Sequence, residues 1–73
     1  MNQCEIVLEH LKSGKSITQR EAANEYGIER LASRINDLRT LGFPVKKVME
    51  QGKNRYGKTT SYARYFLKED NNA

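Results

Sequence analysis

Three groups of side chains in this sequence have the chemistry to hold phosphates and touch nucleic-acid bases. The first is Lys53, Asn54, Arg55, Tyr56 and Lys58, carried in GKNRYGKT, a polar basic turn with two glycines. Lysine and arginine neutralise phosphates, while Asn and Tyr add contacts to the backbone or minor groove. The second is Arg30, Ser33, Arg34, Asn36 and Asp37, spaced to project from one helix. Arginine can grip guanine, and asparagine adenine, through paired hydrogen bonds at the base edge. The third is Thr18, Gln19 and Arg20, where a helix is expected to start. Free N–H groups and the helix dipole favour phosphate at such a start. Each group also has an ordinary structural reading. The turn can be a solvated loop, and the helix face a solvated one. Arg30 can pair with Glu25 or Glu29. Arg34 can pair with Asp37, or lay its stem over the core.

Other chemistries find little to work with. There is no Cys/His nucleophilic pair at workable spacing, and no glycine-rich phosphate loop follows a strand. The paired acids Glu69-Asp70 lie in a polar tail, where no pocket can desolvate them. An enzyme is not expected. One cysteine and one histidine cannot complete a structural zinc site, and no cofactor is expected. His10 lies off the apolar stripe of its helix and reads as a structural side chain. Cys4 reads as a small buried or half-buried residue. A single cysteine fits a reducing cytoplasm, and no apolar run is long enough to span a membrane.

The elements that must position these groups follow from periodicity. Seventy-three residues with 37% hydrophobic content make one domain with a thin core. Residues 3–12 carry Ile6, Val7, Leu8 and Leu11 on a helical face; Asn2 can cap it and Gly14 can close it. Thr18 with Glu21 forms a capping-box pattern for a second helix over Gln19–Glu25. Ile17 precedes that cap, as a hydrophobic staple or as a bridge to a later strand. Tyr26-Gly27 stops the second helix. A third is expected from Ile28 or Glu29 to Leu41, with Leu31, Ile35 and Leu38 on one stripe. A short capped helix, a glycine turn and a longer helix suggest helix-turn-helix.

After Gly42 and Phe43-Pro44 the period changes. Val45–Glu50 reads as a strand whose uneven alternation suggests a bulge or a one-residue shift in its placement. Gly52–Thr59 is the basic turn, and Thr60–Leu67 is a second strand with Ala63, Tyr65 and Leu67 facing the helices. Tyr62, Arg64 and Phe66 would face out. Residues 68–73 read as a flexible polar tail to a domain over residues 1–67. Residues 1–42 hold six basic and six acidic side chains; residues 43–73 hold seven basic and three acidic. The whole surplus of +4 therefore sits downstream of the helices, as an electrostatic footprint for phosphate.

Three helices followed by a hairpin give an α+β, mainly helical class and the layout of a winged helix-turn-helix. The residues also resemble a family: small winged helix-turn-helix domains found in phage and prophage proteins. The matching features are Gly14 to Thr18, Glu21-Ala22, Gly27, Arg30-Leu31, Arg34-Ile35, Leu38-Arg39 with Gly42, and Tyr65 with Leu67. They span about residues 4–67. Phe66 departs from the pattern, which has a polar residue there. The apolar positions of the third helix also sit about two residues out of phase with the general helix-turn-helix pattern.

The expected function is binding of double-stranded DNA, with the third helix in the major groove and the basic wing on backbone or minor groove. The resemblance implies a phage or prophage regulator, or an excisionase-like factor, in the bacterial cytoplasm or nucleoid. One such domain covers few base pairs, so a homodimer or a second DNA-bound protein is an expected partner. The alternative is a protein-binding winged helix, such as a phage inhibitor of a host enzyme. No membrane and no small-molecule substrate are expected.

Overall fold

A computed structural model describes residues 2–67 as three helices and one three-stranded sheet. Helix α1 spans Gln3–Lys12, and Asn2 caps it: Glu5 N donates to Asn2 Oδ1 at 2.8 Å, and Asn2 N donates to Glu5 Oε1 at 3.1 Å. Strand β1 is the pair Ile17–Thr18. Helix α2 spans Gln19–Tyr26 and opens with a second capping box. Glu21 N donates to Thr18 Oγ1 at 3.2 Å, and Thr18 N donates to Glu21 Oε1 at 3.0 Å. Gly27 closes α2 at φ 68°, a left-handed conformation that glycine adopts without a Cβ clash.

Helix α3 spans Leu31–Thr40, so it starts two or three residues later than its periodicity suggests. Ile28 is fully buried, which gives it an apolar look, yet it belongs to the turn. The turn therefore runs from Gly27 to Arg30. A Gly42 with φ 99° follows the helix, and Phe43 N donates back to Leu38 O at 3.0 Å. Arg39 Nε donates to Val45 O at 3.1 Å, and Lys12 sits 5.7 Å above the Phe43 ring centre. Together these contacts fix the direction in which the chain leaves the helices.

Strands β2 (Val45–Lys53) and β3 (Thr59–Leu67) form the hairpin, and β1 adds to β3, giving the order β1-β3-β2. Ile17 thus fills both roles open to it. It pairs with Tyr65 in the sheet, and it is fully buried with Ala22 at the staple position. The expected bulge is absent: pairing runs unbroken from Val45↔Leu67 to Lys53↔Thr59. The uneven alternation has another cause. Beyond Val45 the strand leaves the core, so Val48 and Met49 are exposed and no longer mark a buried face. Both strands are longer than expected, and the turn shrinks to Asn54–Lys58.

The core is Val7, Leu11, Ile17, Ala22, Ile28, Leu31, Ile35, Leu38 and Val45, with Tyr65 and Leu67 packed against it. Each helix supplies its apolar stripe, and the inner half of the hairpin covers them. Tyr65 and Leu67 lie on the helix side, as their alternation requires. His10 is held by two hydrogen bonds, to Tyr26 Oη at 2.7 Å and to Ser16 O at 2.9 Å. The carbonyl can only accept, so Nε2 donates to it, and Nδ1 shares a hydrogen bond with the tyrosine hydroxyl. Cys4 is half-buried. The tail residues 68–73 lie outside the described residues.

Candidate nucleic-acid interface

The wing tip is built around Asn54. Its Oδ1 accepts from Tyr56 N at 2.9 Å and Lys58 N at 3.1 Å. Gly57 N donates to Asn54 O at 3.0 Å, with Gly57 at φ 78°. A side-chain oxygen and one glycine thus close the loop. Asn54 is therefore committed to shaping the turn through its oxygen. Arg55, Tyr56 and Lys58 stand outward around it, all exposed. Lys53 is the last residue of β2.

At the start of α2, Thr18 is 5% exposed and its hydroxyl is occupied by the cap. Gln19 is a clasp. Its Nε2 donates to Ile28 O at 2.7 Å, and its Oε1 accepts from Leu31 N at 2.8 Å. One amide thereby ties α2 to the turn and to the first N–H of α3. Arg20 is exposed and has no ion pair among the described residues.

On α3, Arg30 is the N-cap residue and its exposed side chain does not cap the helix. Asn36 is exposed, and Ser33 is half-buried. Arg34 Nη2 lies 3.4 Å from Asp37 Oδ2, one turn on. Its Nε is buried without a partner. The shoulder of α3 therefore presents an ion pair, with the guanidinium partly drawn towards the protein.

The structure gathers two of the three groups around one cleft of about 880 Å³. Thr18, Gln19 and Arg20 line it from α2, and Lys53, Asn54, Arg55 and Tyr56 line it from the wing. Lys58 and the α3 residues do not line it. Tyr62 and Arg64 also line this cleft, and neither stood out in the sequence as a site residue. The available signal was cross-strand pairing. Glu50 faces Tyr62 in the register, and Arg64 lies on the same sheet face one step along.

Arg64 is the hub that sets the cleft's inner wall. Its Nε donates to Glu50 Oε1 at 2.8 Å. Its Nη1 donates to Ser16 Oγ at 3.0 Å and to Glu21 Oε1 at 3.4 Å. That Glu21 oxygen is the one that caps α2. The Arg64 hydrogen bond holds the Glu50 carboxyl below its usual range, with a smaller contribution from Tyr62, against a modest desolvation cost. The Glu50 hydrogen bond raises Arg64 in turn. The inner wall thus sets one guanidinium against two carboxylates, and Arg20, Lys53 and Arg55, which have no ion pair among the described residues, lie outside that network.

Among the described residues, no group of His, Cys, Asp and Glu could hold a metal ion, and no helix is long and apolar enough to cross a membrane. A comparison with curated proteins finds no match. A family model described as a winged helix-turn-helix domain matches residues 2–70, which is nearly the full chain and includes the cleft, the clasp and the wing. With three helices, an antiparallel sheet and a basic hairpin wing in that order, the chain belongs to the winged helix-turn-helix domain family, whose general activity is DNA binding.

Proposed function

We propose that the protein binds double-stranded DNA, with α3 entering the major groove and the wing resting on the backbone or in the minor groove. The observation that carries this reading is the set of exposed cations, without ion pairs among the described residues, on two neighbouring elements: Arg20 on α2, and Lys53, Arg55 and Lys58 at the wing. Such cations attract phosphate without competition from internal partners. Arg30, Ser33 and Asn36 are the base-reading candidates, with the Arg34–Asp37 pair beside them on α3. Thr18 and Gln19 contribute by holding the α2 start in place next to Arg20.

The biological role that fits is a phage or prophage regulator or excisionase-like factor, acting in the host cytoplasm as two copies or beside a second DNA-bound protein. The size of the domain supports the partner requirement, since one module reads only a few base pairs.

Fluorescence anisotropy on a mixed-sequence duplex at several salt concentrations tests the reading. Affinity should fall linearly on a log–log plot, and Arg55→Ala and Lys58→Ala should each reduce the slope by about one. Absence of binding at low salt would reject it in favour of a protein-binding role. Arg30→Ala and Asn36→Ala should alter sequence preference more than Lys53→Ala does. Equal weakening on every sequence would remove α3 from base recognition.

A further inference from the structure

We infer that the cleft between α2 and the wing is a second nucleic-acid site, one that takes a single unpaired strand. Its composition differs from that of a duplex-facing surface. The Tyr62 ring packs on the backbone of Gly52: a Cβ built at residue 52 would lie 3.4 Å from Tyr62 Cε1. The ring therefore lies against the strand beside Gly52 and forms part of the wall. Tyr62 is 37% exposed in that position, and Tyr56 is 79% exposed at the rim. Both aromatic side chains are thus accessible from the cleft.

The charges are sorted to match. Arg64, deep in the cleft, is satisfied by Glu21, Glu50 and Ser16 and has no charge to spare for a phosphate. Arg20, Lys53 and Arg55 have no ion pair among the described residues. Aromatic walls with outlying cations are the arrangement that binds single strands, since bases stack on the rings and phosphates track the cations. The volume, about 880 Å³, suits a small number of nucleotides. A duplex cannot use the rings, because its bases are buried in their own stack. The two sites share Arg20, Lys53 and Arg55, but none of Arg30, Ser33, Arg34, Asn36 or Asp37 lines this cleft, so substitutions on α3 and at the tyrosines, not at the cations, tell them apart.

The test uses the whole chain and a fluorescein-labelled ten-residue oligothymidylate at low salt. The unlabelled competitors are an abasic oligomer of the same length and a blunt duplex. The oligothymidylate should bind, and the abasic oligomer, which keeps the phosphates, should compete about tenfold more weakly. Tyr62→Ala should weaken oligothymidylate binding about tenfold and leave duplex affinity nearly unchanged. Tyr56→Ala, at a position too exposed to disturb folding, should weaken it several-fold. Asn36→Ala should leave it unaltered. Equal competition by the abasic oligomer would overturn the inference, as would indifference to both tyrosine substitutions or no binding at all. If duplex binding fails while oligothymidylate binding keeps this profile, the duplex reading falls and the single-strand site stands.

Discussion

Gln19 spans a junction that helix propensity alone cannot hold. Its amide satisfies the Ile28 carbonyl and the Leu31 N–H, both in the turn between α2 and α3. Gln19→Ala removes both bonds at once. We expect a loss of about 1–2 kcal/mol, seen as a fall in melting temperature of roughly 5–10 °C. Gln19→Glu should retain only the half that accepts from Leu31. An unchanged melting temperature for the alanine variant would show that water replaces the clasp. At the same scale, Glu50 makes stability depend on pH. Its carboxyl titrates below the ordinary range in the folded chain, so the unfolded chain holds the proton more tightly. The stabilisation is present above about pH 4.3, the ordinary glutamate value, and is lost as pH falls through the folded value. Urea titrations from pH 3 to 7 should show this acid loss, and Glu50→Gln should flatten it. Such residue-level bonds were the least legible part of the sequence. Gln19 reads as a polar helix start and Arg64 as an outward strand residue, because their partners lie 9 to 48 positions away.

At the scale of elements, local signals were faithful wherever the cause was local. The Asn2 cap, the Thr18–Glu21 capping box and the Gly27 stop follow from neighbouring residues, and all three appear. The third helix and strand β2 depart from their sequence patterns in separate ways: the helix starts late, and β2 runs on through Lys53 as an exposed ribbon. Ile28 is buried in a turn, and Val48 and Met49 are exposed on a strand that has left the core. The α2 cap yields a comparison between two substitutions. Thr18→Ala should cost about 1 kcal/mol, the usual value for a lost cap. Glu21→Ala should cost more, since its carboxylate also receives Arg64. Chemical denaturation of the two variants checks the order, and a Thr18 effect equal to or above that of Glu21 would argue against the shared oxygen.

For the whole molecule, the thin core sets the margin. Leu31, Ile35 and Leu38 are nearly or wholly buried on a single ten-residue helix, and Val7 and Leu11 answer them from α1. Leucine-to-alanine changes in such cores remove about 2–5 kcal/mol. A domain of this size has little more than that to lose. Leu31→Ala should therefore leave the chain largely unfolded at 37 °C by circular dichroism, while Arg55→Ala should fold as the parent does. The class and order of elements were legible in the sequence because they depend on this core. The cleft was not, since it arises from how the sheet sets the wing against α2.

The two-residue strand β1 has a bearing on how the chain reaches its shape. Ile17 and Thr18 pair with Tyr65 and Arg64, almost at the far end of the described residues. Helices α1, α2 and α3 can form from neighbours within a few positions, on the fast timescale of local contacts. The sheet cannot close until residues 64 and 65 have been synthesised and brought back across the molecule. During synthesis, Ile17 therefore lacks its β3 partner until most of the wing has emerged, and only its contacts with the helices shelter it. Closure of β1 on β3 then becomes the late, cooperative step, and slowing it by Ile17→Ala would show in refolding kinetics before any local helix signal changed.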